Sequence, residues 1–231
     1  MAIWAIADLH LSFNENKPMV IFGDNWKNHE EKIKQDWLSK VTDNDAVLLP
    51  GDFSWSMYLE DTAKDFEYIN NLPGKKILLK GNHDYWWTTV TKMRNFLEEN
   101  NFKNIEFLHN NSFEDEGYII AGTKGWALSG EEYDEKLVQR EMLRLELSIT
   151  DGIKKYGDDK EIIVCMHYPP TTKNGEMNFI NIMRKYNIKQ CYYGHLHSTA
   201  IQGAVEGDFF GVNLKLVSAD GLDFKLLKIK D

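Results

Sequence analysis

Short clusters of aspartate and histidine, each following an apolar, β-prone run, constrain this chain more than any bulk property. Five of its seven histidines fall in four of them: Asp8-x-His10, Gly81-Asn82-His83-Asp84, His167 and Gly194-His195-Leu196-His197. A further pair, Gly51-Asp52, stands between the first two. The runs before them, residues 2–7, 46–49, 76–79, 161–166 and 190–193, are short and read as buried strands. Between them lie helical patterns at 28–41, 58–71, 88–99, 133–156 and 176–186. In the first, Asn28 and Glu31 have capping-box spacing, and Ile33, Trp37, Leu38 and Val41 share a face. The second buries Ala63, Phe66 and Ile69; the third turns Val90, Met93, Phe96 and Leu97 inward. In the fourth, Val138, Met142, Leu145, Ile149 and Ile153 make one apolar stripe.

Strand–loop–helix units in series predict an α/β fold with parallel strands and with the chemistry at their carboxyl ends. Residues 122–130 read as a glycine-rich loop around Trp126. Residues 209–229 alternate in short runs and read as antiparallel strands finishing a second sheet. With 231 residues and no composition break, residues 1–231 read as one domain.

Converging strand ends would gather carboxylates, an amide oxygen and imidazoles in one small space. Asp8 and His10, two apart on a strand end, point the same way, as do His195 and His197. Carboxylate and imidazole donors suit manganese, iron or zinc, whereas magnesium prefers an all-oxygen shell. Asp52, with two free oxygens, is the natural bridge between two divalent ions ~3.5–4 Å apart. Such a pair lowers the pKa of a shared water and polarises phosphoryl oxygens, which favours displacement at phosphorus.

In this order the clusters resemble the five signature blocks of the calcineurin-like metallophosphoesterases, from residue 8 to residue 197. The resemblance implies a four-layer α/β/β/α sandwich of two facing mixed sheets with a dinuclear centre at their shared edge. It implies one metal on Asp8, His10 and His197, a second on Asn82, His167 and His195, and Asp52 between them. It makes His83 the catalytic histidine beside the leaving oxygen, and a hydroxide held by the two metals the nucleophile. One position departs from the protein-phosphatase branch, whose second block reads Gly-Asp-x-x-Asp and uses the second Asp to orient the histidine. Here Trp55 stands there, and an indole only donates. His83 is then expected to be oriented by Asp84 or a backbone carbonyl, or to work with a less basic imidazole, and protein-phosphatase activity is disfavoured.

The expected activity is that of a hydrolase, a phosphatase or phosphodiesterase acting on a small phosphomonoester or phosphodiester. A cyclic-nucleotide phosphodiesterase or nuclease is the alternative within enzymes, and a metal-loaded, non-catalytic interaction scaffold the alternative outside them. The net charge of -9 argues against a surface that tracks long nucleic acid. A small phosphate ester is the expected partner. Asp8 interrupts the N-terminal apolar run, and no run approaches the ~18 residues of a membrane span. Neither a targeting peptide nor a membrane is therefore expected, and the location is expected to be cytoplasmic.

Trp55, Tyr85, Trp86, Trp87, Tyr168 and Trp126 flank the clusters, either as a stacking wall for a planar substrate group or as packing over the sheet edge. Cys165 and Cys191 read as reduced core thiols, and His29 and His109 as solvated. Residues 12–27, with Asn14, Asn16 and Lys17, read as a long loop that closes over substrate or runs along the surface.

Overall fold

The first half of the chain lays down four parallel strands in sequence order. In the computed structural model, which describes residues 1–14 and 17–230, these are β1 (Ile3–Ala5), β2 (Ala46–Pro50), β3 (Lys75–Leu79) and β4 (Ile105–Leu108). A second sheet follows, from β5 (Phe113–Asp115), β6 (Tyr118–Thr123), β7 (Ile162–Met166), β8 (Gln190–Tyr193), β9 (Gly207–Phe209) and β10 (Val212–Leu216). Its order is β5-β6-β7-β8-β10-β9, parallel through the middle and antiparallel at both edges. The final strand, β11 (Leu227–Lys230), crosses back and pairs antiparallel with β1.

Side-chain alternation explains the layering. Ile3, Ala5, Leu48, Ile77 and Leu79 point to one side and meet Ile120, Ile163, Cys165 and Tyr192 of the second sheet. Trp4, Val47, Leu49 and Leu78 point to the other side. There α1 (His29–Lys40), α2 (Ala63–Asn70) and α3 (Val90–Glu99) bring Ile33, Trp37, Phe66, Ile69, Met93 and Leu97 against them. On the far face of the second sheet, α4 (Glu135–Tyr156) and α5 (Asn178–Lys185) supply Val138, Leu145, Ile149, Phe179, Ile180 and Met183. The result is the four-layer α/β/β/α sandwich. Both cysteines are free and buried. Among the described residues no helix is long and apolar enough to cross a membrane.

Several local expectations are corrected. Asn28 adopts a left-handed conformation and makes no side-chain cap. Leu38 is exposed, because the inward stripe of α1 is only as wide as Ile33 and Trp37. The second helix opens with a 3-10 turn at Leu59–Thr62, and Ala63 is only half-buried. β4 and β5 escaped the sequence reading. The C-terminal strands do not all finish the second sheet: β10 runs parallel to β8, and β11 closes the first. Alternation shows that a strand has two unlike faces, but not which open edge it will pair with. His29 is buried, its ring nitrogens 3.2 and 3.0 Å from the carbonyl oxygens of Trp26 and Leu9, and His109 is half-buried. Asn16 lies outside the described residues.

One core side chain is costly. Lys76 is fully buried in β3, its ammonium donating to the carbonyl of Leu72. Burial depresses its pKa to about 7. The unfolded chain, with an ordinary lysine, binds more protons above that value, so folding stability rises as pH climbs from about 7 toward 10. We expect the wild-type protein to gain about 2 kcal/mol from this group between pH 7 and 9. Lys76→Met is expected to be more stable at pH 7 and to lose that slope, as read by urea denaturation at both pH values.

Candidate metal centre

The carboxyl ends of β1, β2, β3, β7 and β8 come to one edge of the sandwich, and every cluster singled out in the sequence lies there. Backbone bonds splice the two sheets: Ala7 N–H donates to Val217 O (2.7 Å) and Ala219 N–H to Ala7 O (3.0 Å). Asp8 N–H and His10 N–H donate to Gly51 O and Asp52 O (2.9 and 3.0 Å), so the first two clusters share a ladder. Asp8, His10, Asp52 and His195 all have positive φ, at 61, 46, 51 and 74°. Such backbone costs a non-glycine residue roughly 1–2 kcal/mol, and it collects where function over-determines the geometry. Two glycines make the close approach possible. A Cβ on Gly81 would collide with Asp52 Oδ1, and one on Gly194 would collide with Asp8 Oδ2.

The donor atoms form two overlapping groups. Asp8, His10 and His197 can each offer one atom within 4.8 Å of the others, and so can Asp8, Asp52 and His167. His10 Nε2 lies 3.3 Å from His197 Nε2, which is 3.4 Å from Asp8 Oδ1. The two oxygens of Asp52 face different groups: Oδ2 is 3.8 Å from His10 Nε2 and Oδ1 is 3.5 Å from His167 Nε2. Asn82 Oδ1 sits 2.6 Å from His167 Nε2 and 2.9 Å from His195 Nδ1. All seven candidate ligands are thus brought together.

Their outer partners fix the tautomers. A carbonyl can only accept, so His167 donates its Nδ1–H to Pro50 O (3.0 Å) and turns the Nε2 lone pair to the centre. His197 donates Nδ1–H to Asp220 Oδ1 (2.9 Å), whose other oxygen accepts from Ser198 N–H (2.8 Å). Asp220 escaped the sequence reading. It lies in Ser218-Ala219-Asp220-Gly221 without a histidine beside it, so no ligand spacing marked it.

Electrostatics test whether cations fit this set. Burial, then neighbouring imidazoles, hold His10 well below its ordinary pKa; burial first also pulls His167 and His195 down to about 3. Those rings are neutral, the form that ligates metal. Asp52 is driven well up by burial and by the carboxylates of Asp8 and Asp84. His197 goes the other way: burial lowers it, but Asp8 and Asp220 outweigh that and raise it to about 10. Lone pairs therefore face lone pairs and carboxylate crowds carboxylate in a buried space. Divalent cations relieve that repulsion, and the nitrogen and oxygen donors suit transition metals.

His83 stands at the rim of this set. Its Nδ1 is buried without a hydrogen-bond partner among the described residues. Neither expected orienting group is there. The carboxylate of Asp84 instead accepts from the N–H groups of Asp52, Phe53, Ser54 and Gly81, at 2.7–3.2 Å, and from the Trp86 indole at 3.0 Å. Asp84 is therefore a positioning residue for two loops. The His83 ring is held by packing, with centroids 4.6 Å from Trp55 and 5.8 Å from His10. Trp55 also stacks on His10 at 4.8 Å. Where a carboxylate would hold an imidazole by charge, an aromatic face holds two by contact.

Of the other aromatics, Trp86 and Trp87 are buried packing residues, whereas Tyr85 is exposed. Tyr168 lies against His195 with centroids 4.1 Å apart, and Trp126 lies 5.8 Å from Tyr168. From the loop after β1, Trp26 reaches under the centre and meets His10 and His197 edge-on.

The sequence matches the family model described as calcineurin-like phosphoesterase over residues 1–199. No curated protein matches it. Thirty chains of solved structures match it, among them the following three. One is the protein of unknown function AQ665 from Aquifex aeolicus, 18% identical with a TM-score of 0.54, the match covering 98% of this chain and 95% of that one. Another is phosphopantetheinyl hydrolase (PptH) from Mycobacterium tuberculosis, 14% identical with a TM-score of 0.60, covering 99% and 95%. A third is TT1561 of Thermus thermophilus, 14% identical with a TM-score of 0.60, covering 99% and 97%. These structures share the fold.

Removing the outer partner of a histidine ligand typically costs about 10–100-fold in metal affinity. Asp220→Ala is therefore expected to release metal at a roughly 10–100-fold lower chelator concentration than wild type, with an unchanged far-UV spectrum. Asp84→Ala removes the acceptor of five donors. It is expected to lose about 3 kcal/mol of stability, as measured by denaturant unfolding of the metal-free chain.

Proposed function

Because the chain belongs to the calcineurin-like phosphoesterase family, we propose that it is a metal-dependent phosphoesterase that hydrolyses a small phosphate ester by in-line attack of hydroxide. The observation that carries this reading is the buried donor set, in which the two oxygens of Asp52 face different histidine groups. Asp8, His10 and His197 would hold one divalent cation, and Asn82, His167 and His195 a second, with Asp52 shared. When bound, such cations supply polarisation of phosphoryl oxygens and a lowered pKa for water.

The chain's own residues do the rest. Asp84 pins the loops that carry Asp52 and His83, so the donor set is organised before substrate arrives. His83, wedged between Trp55 and His10, offers a ring nitrogen to the departing oxygen. With no carboxylate among the described residues behind its Nδ1, it stabilises the developing negative charge chiefly as a hydrogen-bond donor. The departure at Trp55 disfavours protein-phosphatase activity, and the net charge of -9 disfavours long nucleic acid as substrate.

We expect metal-stripped protein reconstituted with Mn or Zn to hydrolyse p-nitrophenyl phosphate or bis-p-nitrophenyl phosphate. Asp52→Asn is expected to abolish turnover. His83→Ala is expected to lower kcat about 100-fold while metal stoichiometry stays at wild-type level. Unchanged rates in both variants would remove this mechanism, and stoichiometric metal with no ester hydrolysed would favour a binding scaffold.

A further inference from the structure

One strand beyond Asn82 and His167, along the same sandwich edge, lies a cavity of about 230 Å³ that the proposed chemistry does not use. Its walls are the ends of β3, β4 and β6 and one face of α4, and Lys80, Lys124, Arg140 and Arg144 line it. The chain has only four arginines and a net charge of -9, yet two of the four arginines are here. The one carboxylate in the lining is Glu141, fully buried. Its Oε1 accepts from Arg140 Nε (3.0 Å) and Arg144 Nη1 (2.7 Å), and its Oε2 from Thr123 Oγ1 (2.6 Å). Glu141 thereby fixes both guanidinium groups while leaving several of their N–H donors unused.

Neither lysine has an ion-pair partner among the described residues. Lys124 lies over the ring of Trp126 at 4.1 Å and 5.6 Å from that of Tyr168, the residue that packs on His195. Backbone continues the link, since Tyr168 N–H donates to Lys124 O (2.9 Å). Lys80 directly precedes the Gly81-Asn82-His83 loop. Four cations against one carboxylate leave an unneutralised positive field in a concave space beside the metal centre. One arginine would suffice to pair Glu141 structurally. Two fixed guanidinium forks and two free ammonium groups match a multiply charged oxyanion.

We propose that this cavity is an anion subsite, and that the natural substrate carries a second phosphate that docks here while the scissile phosphoryl group lies at the metal centre. The substrate part rests on the phosphoesterase reading above; the subsite itself does not.

The first test uses the full chain stripped of metal, so that no cation at the centre can bind phosphate and the signal reports the cavity. Titrating inorganic phosphate calorimetrically, we expect saturable one-to-one binding that weakens with salt. Arg144→Gln and Lys124→Gln are each expected to weaken it by about 10-fold or more. Lys124 pairs with no carboxylate among the described residues, so its variant breaks no ion pair there even where Arg144→Gln disturbs Glu141, and unfolding curves check that both fold. No saturable binding, or equal binding in wild type and the Lys124 variant, overturns the subsite.

The second test compares adenosine 3′,5′-bisphosphate with adenosine 5′-monophosphate on the metal-loaded enzyme. A KM about 10-fold lower or more for the bisphosphate, lost in Lys124→Gln, supports a substrate with two phosphates. Equal KM values with phosphate binding intact overturn that part and assign the cavity to free phosphate. Phosphate binding with neither ester hydrolysed supports the subsite and overturns the catalytic reading; hydrolysis without phosphate binding does the reverse.

Discussion

The carboxylate of Asp84 is the tie on which the centre depends. Its two oxygens gather four backbone N–H groups and one indole N–H, drawn from the loop after β2 and the loop after β3. Without an acceptor, those buried donors would each cost free energy comparable to a lost hydrogen bond. With it, the backbone of Asp52 and the backbone of Gly81 are held so close that only glycine fits between them. Asp52 Oδ1 then accepts from His83 N–H at 2.8 Å, so the Asp52 carboxylate and the rim histidine are set by one network. Burial raises the Asp84 pKa, and the backbone donors oppose that rise by favouring the ionised form.

A second constraint is the meeting of the two sheets. Both contribute donors: Asp8, His10, Asp52 and Asn82 come from the first, His167, His195 and His197 from the second. They can share a site only because Ala7 and Ala219, small residues at the seam, let the strand ends pair across it. Left-handed backbone at Asp8, His10, Asp52 and His195 then turns the side chains inward. The strain and the crowding of charge sit in the same few residues. A cation that bound the folded form alone would offset both, and its binding would then be linked to folding.

The convergence of the candidate ligand positions was legible in the sequence because each stands at the end of a run whose periodicity marks it as a strand, and parallel sheets gather such ends. Trp37, Phe66 and Leu145 were legible as core because helical periodicity puts them on one apolar face. What escaped was set by tertiary partners. Nothing local distinguishes Asp220 from an ordinary turn aspartate until His197 is placed beside it. His29 looked solvated at the head of a polar helix, yet two carbonyls and Trp26 enclose it. β11 announced a strand but could not announce that its partner would be β1, at the opposite end of the chain. Asp84 was read as a group acting on the His83 ring because of its place beside it in the chain; in the fold its oxygens turn the other way, toward the backbone.

Trp55 shows how one residue alters the working of an otherwise complete arrangement. A carboxylate behind an imidazole raises its basicity and accepts its far N–H, whereas an indole does neither. The ring of Trp55 instead lies flat on His10 and tilted on His83, and its own N–H donates to Met19 Sδ at 3.0 Å. His83 therefore keeps its place by contact, and burial lowers its basicity. A weaker base is a poorer store of protons but a better hydrogen-bond donor as negative charge develops on a departing oxygen. The cationic cavity at the next strand ends fits that arrangement. In the proposed reaction a leaving group with less help from a charged imidazole would leave more of the discrimination between esters to groups that hold the rest of the substrate, and Lys80, Lys124, Arg140 and Arg144 are the charged groups that line the neighbouring cavity.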